Sequence, residues 1–585
     1  MTPVDLRRTL RWGSLAGAVM VFTCAVGLFE AFEDRLLVYP FLSLGHVLLL
    51  WFLPLAGYQA TNEPVLEGME APSKGLHNVM AGLAAGLAGG VLMGVFTVVV
   101  DAFDVRDVFV RLSVRLVDLL THGWGVPGGL VLIVGVPALL GMAGGMLHLV
   151  SASVRRRMIL ALEWALVVAL LEQVFSQVLR QLRLGAVGNI IFTRRALEWW
   201  AALAIAVLVA FLAERARGGV GRLRGYLFAA DAVRRTRNSI WSALAVLAFL
   251  VILPQLLGSL LSELLANVGL FLLMGLGLNI VVGLAGMLDL GYVAFFAVGA
   301  YTVGVLTSPI SPRFDLEWSW WAALPVAILM SVVAGVLVGT PVIRMRGDYL
   351  AIVTLGFGEI VRILFLSDWL APVFGGAQGV RNVPGIPVGV VEVRGSQPVG
   401  VLYFAFGLVL VAAWVSWALQ ESRLGRAWTA IREDETVAAA MGINVVRAKL
   451  NAFIVGAILA GLGGALFAAK VGSIFPSSFE LLVSIIVLVV VIVGGMGNIP
   501  GVAVGAVLLI GVLGGPTQPG LLAEFAEFKL LIYGALLVFM MLRKPEGLLP
   551  SVRRSRELRG EELSQDAWLD RPSGDVEVDA RLAGG

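Results

Sequence analysis

Four ionisable residues lie inside long apolar segments of the chain: Asp289, Glu359, Arg362 and Lys470. A charge at the centre of a membrane-spanning helix costs about 2.5–3.5 kcal/mol, so each of them requires a partner or a function. Asp289 and Glu359 could line a polar route through the membrane, pair with a buried arginine, or lie at helix ends. For Arg362 and Lys470 we expect helix ends, with the side chains reaching the lipid head groups.

Two glycine-rich stretches interrupt apolar segments and are predicted to break membrane helices. The first contains Gly277, Gly283, Gly286 and Gly291, and the second contains Gly494, Gly495, Gly497 and Pro500. Broken helices expose backbone N–H groups that suit a carboxylate and carbonyls that suit an ammonium, as in a zwitterionic amino acid. The alternative is that small residues only allow close helix packing. The candidate translocation residues are Asn279, Gly283, Asp289, Glu359, Gly494, Gly495 and Asn498.

A polar segment at residues 421–444 separates two apolar segments and has helical periodicity. Its apolar residues recur at intervals of three, seven and three positions: Trp428, Ile431, Ala438 and Met441. These intervals predict one apolar face of a helix that ends at Gly442. The opposite surface carries Arg432, Glu433, Asp434 and Glu435. Such a helix could insert its apolar face into a groove of a partner protein, and the alternative is a solvated connecting loop.

Motifs of soluble enzymes are missing from the chain. It has no Gly-Lys-Ser or Gly-Lys-Thr of a nucleotide-binding P-loop, no His-Glu-x-x-His and no Gly-x-Ser-x-Gly. The single cysteine, Cys24, allows neither an intrachain disulfide nor a thiolate metal cluster. We therefore expect no enzymatic activity, and no cofactor, metal ion or nucleotide bound by this chain.

The composition indicates which elements position these residues. Of the 585 residues 59% are hydrophobic and 14% are charged, whereas soluble domains have about 45–50% and about 25%. Much of the surface must therefore contact lipid. Apolar windows of about 20 residues predict about sixteen membrane spans, about six of them in residues 1–213 and including 14–32, 36–59 and 158–178. The predicted fold class is an all-α, polytopic helical membrane protein.

Charged stretches divide the chain further. Residues 214–239 form an Arg-rich cytoplasmic linker, residues 240–550 hold the remaining spans, and residues 551–585 form a polar cytoplasmic tail that we expect to be disordered. Basic loops favour the cytoplasmic side, and most of them fall on the same side as Arg7, Arg8 and Arg11. We therefore expect a multi-pass protein of the bacterial inner membrane with both termini in the cytoplasm.

Residues 240–550 resemble the branched-chain amino acid permeases of ATP-binding-cassette (ABC) importers, specifically their LivM-type subunit. Four ordered motifs carry the resemblance: residues 277–301, which begin Gly-Leu-Asn-Ile-Val-Val-Gly; residues 346–362, which begin Arg-Gly-Asp-Tyr-Leu-Ala; the polar segment; and Gly-Gly-Met-Gly-Asn-Ile-Pro-Gly at 494–501. The family usually has Glu in the Ala-rich part of the polar segment, where this chain has Ala439. Residues 1–213 resemble no family that we can name.

The resemblance implies an ABC importer permease fold at residues 240–550 and half of a translocation pathway for branched-chain amino acids. It also implies a LivH-type permease subunit, two ABC ATPase subunits, an extracytoplasmic substrate-binding protein and membrane lipid as partners, and no nucleic acid. The residues implied to couple to the ATPases are Arg426, Trp428, Ile431, Arg432, Glu433, Asp434, Ala438, Met441 and Gly442. Three alternatives stay open: a permease for urea or short-chain amides, a secondary transporter without ATPases, and a fused protein whose residues 1–213 have a separate sensing, scaffolding or enzymatic role.

Overall fold

The computed structural model describes residues 3–61, 75–103, 112, 114–216, 254–255, 258–311, 313–314, 316–342, 345, 348–389, 391–516, 518 and 520–549. By its internal contacts the chain divides into two compact units, Met1–Ala248 and Phe249–Gly585. The predicted tail at residues 551–585 lies outside the described residues, and so does most of the predicted linker at residues 214–239. Those domain boundaries therefore stay predictions.

The N-terminal unit consists of helices joined by short strands. Its described helices are α1 (Pro3–Ala25), α2 (Leu28–Phe32), α3 (Leu44–Leu50), α4 (Phe52–Thr61), α5 (Gly75–Ala102), α6 (Val114–Thr121), α7 (Gly125–Met146), α8 (Ala152–Leu170), α9 (Glu172–Gln181), α10 (Gly185–Ile191) and α11 (Trp199–Ala216). Its strands are β1 (Leu36–Tyr39), β2 (Leu42–Ser43), β3 (Phe192–Thr193) and β4 (Ala196–Glu198). Helices α1, α4, α5 and α7 pack together, and the core of this unit contains Met20, Leu53 and Met93.

The strands of the N-terminal unit form one small sheet in the order β2-β1-β4-β3, with β1 antiparallel to β2 and parallel to β4. This sheet shows that the predicted span at residues 36–59 is not one continuous helix. The helical part begins at Leu44, because the Ser43 hydroxyl accepts a hydrogen bond from the His46 N–H and caps α3. The all-α class holds, since the strands only connect helices.

The C-terminal unit contains two central helices surrounded by others. Its described helices are α12 (Gly258–Leu284), α13 (Val293–Thr307), α14 (Trp320–Val342), α15 (Asp348–Leu366), α16 (Ala371–Phe374), α17 (Pro398–Glu421), α18 (Arg423–Glu433), α19 (Glu435–Ala440), α20 (Val445–Val471), α21 (Leu481–Gly494), α22 (Ile499–Ala506) and α23 (Lys529–Arg543). Short antiparallel pairs join β5 (Val380–Arg381) to β8 (Ser473–Ile474) and β6 (Ile386–Val388) to β7 (Val391–Val393).

Helices α12 and α20 form the centre of the C-terminal unit. The most apolar 18-residue window of α12 is 94% buried, and that of α20 is 78% buried. Helix α13 packs against both α20 and α14. Because protein covers these helices, they can hold backbone interruptions and polar groups that lipid would not tolerate.

Among the described residues, eight helices are long and apolar enough to cross a membrane. Helices α8 and α9 add a ninth if they form one span, although they bend by 72°. The predicted spans at residues 158–178 and 14–32 are therefore interrupted, the latter at Gly27, whose φ is 84°. The predicted total of about sixteen spans is not confirmed.

Candidate functional site

The polar segment forms two helices, α18 and α19, instead of the single helix that its periodicity predicts. The Asp434 carboxylate interrupts the helix, because it accepts hydrogen bonds from the N–H groups of Thr436 (2.7 Å) and Val437 (3.0 Å) and so caps a new helix. The Ser422 hydroxyl caps α18 in the same way. Helix α19 ends at Ala440, close to the predicted end, and Gly442 follows with a φ of 86°.

Three of the four residues of the predicted apolar face pack inside this chain, which corrects the prediction of one outward apolar face. Trp428 is fully buried, and its indole N–H donates to the Ala448 carbonyl in α20 at 2.7 Å. Ile431 and Ala438 are buried as well, whereas Met441 is 79% exposed. Met441 directly follows the end of α19, and it is the one residue of the four that is available to a partner.

Arg432 lies against the core, although the sequence predicted it on the charged outer surface. Its side chain is half-buried, and Nη1 donates to the Gly283 carbonyl in α12 at 2.7 Å. Glu433 and Asp434 are exposed, as predicted. Arg426 is exposed too, and its Nη1 donates to the Glu421 carbonyl at 2.9 Å.

A buried ion pair also ties the polar segment to the core. Lys449 in α20 is 4% exposed, and its Nζ lies 2.8 Å from Oε2 of Glu435, the first residue of α19. A buried charge without its partner is strongly unfavourable, so this pair fixes α19 against α20.

The first interrupted helix is α12, which ends in a π-helix at Asn279–Leu284. The Asn279 side chain is buried, and its Oδ1 accepts a hydrogen bond from the Gly497 N–H at 2.7 Å. A Cβ atom at Gly283 would lie 2.3 Å from the Asn279 Oδ1 and 2.5 Å from the Gly497 nitrogen. Only glycine therefore fits at position 283.

The second interruption follows α21, where Gly495 has a φ of 124°. The Leu549 N–H donates to the Gly494 carbonyl at 3.0 Å, and the Asn498 Nδ2 donates to the Leu549 carbonyl at 2.8 Å. These hydrogen bonds hold the Gly-rich turn against the segment that follows α23. The predicted break at residues 494–501 is confirmed, and backbone groups of Gly494, Gly495 and Gly497 have partners within the chain.

The two interruptions and the polar segment meet in a group that we call the polar junction: Asn279, Gly283, Gln420, Arg432 and Gly497. Gln420 was missed by the sequence analysis; its Nε2 donates to the Gly497 carbonyl at 3.4 Å from the last turn of α17. Three of the four family-like motifs therefore contribute to one hydrogen-bonded group. Arg432 joins the polar segment to the broken end of α12, and Asn279 joins that end to the Gly-rich turn.

The remaining residues that the sequence analysis singled out make contacts outside the polar junction. Asp289 is 1% exposed; its Oδ1 accepts from the Gly291 N–H at 2.9 Å, and its Oδ2 has no hydrogen-bond partner among the described residues. Glu359 pairs with Arg362 one turn later in α15, through a 2.9 Å contact from Nε to Oε1. Lys470 donates from Nζ to the Asn267 Oδ1 in α12. Lys470 lies in the last turn of α20, as expected, and both Arg362 and Lys470 have side-chain partners within the chain. That their side chains reach the lipid head groups stays a prediction.

The described part of the chain contains no cluster of side chains that could form a metal site. No group of three or more His, Cys, Asp or Glu side chains is close enough there to hold a metal ion. Cys24 is a buried free thiol.

Comparison with known proteins identifies a family whose matched residues include the polar junction. The family model of the permease component of branched-chain amino acid transport systems matches residues 260–541. The high-affinity branched-chain amino acid transport system permease protein LivM of Salmonella typhimurium is 40% identical over 296 residues, which are 47% of this chain and 66% of that protein. The C-terminal unit belongs to the branched-chain amino acid permease family. We call it the permease unit.

Two further relatives show how far the similarity of the permease unit extends. A probable LivM permease of Methanocaldococcus jannaschii is 25% identical over 292 residues, 45% of this chain and 80% of that protein. The LivH permease of Salmonella typhimurium is 31% identical over 131 residues, 22% of this chain and 41% of that protein. The chain spans 66% of the length of the first LivM relative. No solved structure matches it.

Proposed function

We propose that the permease unit is one membrane subunit of an ATP-driven importer and forms half of its translocation pathway for branched-chain amino acids. The names of the LivM and LivH relatives support the substrate class and the pairing with a LivH-type subunit. Two ABC ATPases and an extracytoplasmic binding protein complete the proposed complex. The proposal places the chain in the bacterial inner membrane with both termini in the cytoplasm, and gives it no cofactor of its own.

The hydrogen bond from Arg432 to the Gly283 carbonyl is the observation that carries this proposal. An importer of this kind must convert movement of a cytoplasmic ATPase into movement of its membrane helices. Arg432 joins the polar segment to the π-helical end of α12, and the Lys449–Glu435 pair joins it to α20. A push on α18 and α19 would therefore move both central helices of the permease unit.

Alternating access also requires ligands that distinguish the two states of the complex. A ligand with equal affinity for both states shifts neither, so the bias must come from ATP and from the binding protein. Asn279, Gly283, Gly494, Gly495 and Asn498 would act by changing the geometry of the broken helices. Asp289 and Glu359 stay candidates for lining the pathway.

Uptake by the full chain tests the proposal. The chain is captured from native membranes with its bound partners and reconstituted into liposomes, with its binding protein supplied from outside. We expect uptake of labelled L-leucine that requires hydrolysable ATP on the ATPase side. Uptake that continues with a non-hydrolysable ATP analogue would assign the chain to secondary transporters, and uptake of urea without L-leucine would assign it to the amide permeases.

The structure changes which residues of the polar segment should contact an ATPase. Val437 and Met441 are 57% and 79% exposed, whereas Trp428 is buried. We expect Met441→Asp to lower L-leucine uptake about tenfold without changing the amount of folded protein, because a charge would enter an apolar contact. Val446→Asp is the matched control, since Val446 is 57% exposed in the first turn of α20. An equal effect of both variants would contradict the docking assignment.

A further inference from the structure

A polar cavity of about 500 Å³ opens at one end of the permease unit. The turn after β7, the connection after β5 and the last turn of α20 form its wall. Its polar side chains are those of Asn382, Arg394, Ser396 and Lys470. We call it the outer cavity, and its volume lies in the range of small-molecule sites, which is about 300–1,000 Å³.

The outer cavity lies at the opposite end of α20 from the polar segment. Helix α20 has 27 residues and therefore spans about 40 Å at 1.5 Å per residue. The polar segment leads directly into its first turn, whereas Lys470 lies in its last turn. If the polar segment contacts cytoplasmic ATPases, the outer cavity faces the side from which substrate arrives.

The charges that line the outer cavity are positive. Arg394 and Lys470 contribute to the wall, and none of the described residues that line it is acidic. Arg394 is held by Glu392, whose Oε2 lies 2.6 Å from Nη2, and Glu263 acts electrostatically on Lys470. Neither carboxylate lines the cavity, so a ligand that enters it meets Arg394, Lys470 and two neutral polar side chains. The Nζ of Lys470 also donates to the Asn267 Oδ1.

Close backbone contacts fix the wall of the outer cavity. A Cβ atom at Gly395 would lie 2.1 Å from the Lys470 carbonyl oxygen, so the glycine allows the Arg394 turn to approach the end of α20. On the other side the Val383 N–H donates to the Gly472 carbonyl at 2.9 Å. Glu392 also accepts a hydrogen bond from the Gly385 N–H at 2.7 Å, which holds the hairpin that carries Arg394.

We propose that the outer cavity binds the carboxylate group of a free amino acid on its way into the translocation pathway. Arginine and lysine recognise carboxylates through charge-assisted hydrogen bonds, and both are placed on one wall here. The inference rests on the proposed function for the direction of transport and for the class of ligand. The cationic wall selects for the carboxylate, which all amino acids share, and not for the side chain.

Cysteine labelling of the full chain in lipid nanodiscs tests the proposal. Ser396 is exposed in the cavity wall, and the native Cys24 is fully buried, so Ser396→Cys gives one reactive thiol. Two methanethiosulfonates of similar size are compared, one with a sulfonate and one with a trimethylammonium group. Ser319→Cys is the matched control, because Ser319 is exposed before α14 and does not line the cavity.

We expect the ratio of anionic to cationic labelling rates at position 396 to exceed that at position 319 about tenfold. In the Ser396→Cys background, Arg394→Gln should lower this ratio several-fold. Arg381→Gln should leave it unchanged, since Arg381 is exposed and does not line the cavity. L-leucine should slow labelling at position 396, whereas leucinamide, which lacks the carboxylate, should not.

Two results would overturn the proposal. Equal ratios at positions 396 and 319 would show that the outer cavity does not favour anions. Protection by inorganic phosphate without protection by L-leucine would assign the cavity to phosphate or to a lipid head group. Labelling needs no ATP, so loss of ATP-driven uptake with intact L-leucine protection would overturn the proposed function and leave the carboxylate site standing.

Discussion

The two units of the chain differ in how far protein covers the membrane helices at their centres. The outer helices α14, α15 and α17 of the permease unit are only 33–39% buried, similar to the helices of the N-terminal unit. The apolar windows of α5 and α7 in the N-terminal unit are 39% and 28% buried, whereas that of α12 in the permease unit is 94% buried. A lipid-facing helix must satisfy its backbone internally, but a helix covered by protein can be broken. The π-helix at Asn279–Leu284 and the Gly-rich turn accordingly lie in the permease unit.

Polar side chains make helix-internal hydrogen bonds in both units, as Thr307 does with the Val303 carbonyl in the permease unit, but the permease unit adds bonds between its broken helices and the polar segment. In the N-terminal unit the hydroxyls of Thr23, Thr97 and Thr121 donate to the carbonyl one turn earlier in the same helix. In the permease unit, Asn279 and Arg432 reach partners 218 and 149 positions away. The first kind of bond stabilises a helix, while the second joins elements that must move together. The contrast suggests that a disturbed contact affects folding in the N-terminal unit and coupling in the permease unit.

The largest effect on stability is expected at the buried ion pair of the permease unit. Glu435→Gln leaves Lys449 buried without its counter-ion, and breaking such a pair costs about 3–5 kcal/mol. Denaturant unfolding of the purified chain in detergent should show this loss. Glu433→Gln is the control because Glu433 is exposed on the same segment, and an equal loss there would mean that the pair has no special role.

A smaller effect is expected where α5 meets α7 in the N-terminal unit. A Cβ atom at Gly86 would lie 2.2 Å from the Pro137 carbonyl oxygen, so Gly86→Val should lower stability by about 1–3 kcal/mol. Gly135→Val is the control, since nothing lies within 4 Å of its Cβ position. Uptake per folded molecule should stay at the wild-type level in both variants. If uptake per folded molecule fell in Gly86→Val but not in Gly135→Val, a contact of the N-terminal unit would affect transport, which would contradict the contrast between the units.

The smallest effect is expected at the exposed ion pair of the β6–β7 hairpin. The hydrogen bond from Arg394 lowers the pKa of Glu392 below its ordinary value. A depressed folded-state pKa contributes stability above the unfolded-state pKa, and this stability is lost as the pH falls through the folded-state pKa. Because both side chains are substantially exposed, solvent screens the pair and its contribution should be small.

Unfolding measured between pH 7 and pH 3 checks this prediction. Glu392→Gln should remove a small part of the acid-induced loss of stability, and 1 M salt should reduce the difference between variant and wild type. A Glu392→Gln profile that coincides with the wild-type profile at low salt would show that the ion pair does not contribute.

Hydropathy predicted the positions of several membrane helices, in both units of the chain. Helices α5, α7, α14, α17 and α20 lie where the apolar windows predict spans, at residues 76–100, 127–151, 318–338, 401–419 and 450–469, because a span must match the thickness of the bilayer. The interruptions at α8–α9 and at residues 36–43 were not predicted, since a composition window does not register a local cap or strand pair. The cap at Asp434 had a visible signal, because an aspartate directly before an acidic first turn is typical of a helix start.

The polar junction could be predicted only in part. The Gly-rich motifs indicated that α12 and the end of α21 are interrupted. The periodicity of Trp428 and Ile431 indicated an apolar face, but periodicity does not distinguish packing on the same chain from docking on another. The contact between Arg432 and Gly283 joins residues 149 positions apart, and no local pattern encodes it.

The hydrogen bond between Arg432 and Gly283 allows the most direct test of coupling through the polar junction. Arg432→Ala, Arg432→Lys and the exposed control Arg447→Ala are reconstituted with the ATPase partners, and ATP hydrolysis and L-leucine uptake are measured on the same liposomes. A hydrogen bond to a charged group contributes about 1.5–3 kcal/mol, so uptake per ATP should fall about tenfold or more in Arg432→Ala, recover partly in Arg432→Lys and stay unchanged in Arg447→Ala. Wild-type uptake per ATP in Arg432→Ala would contradict transmission through the polar junction.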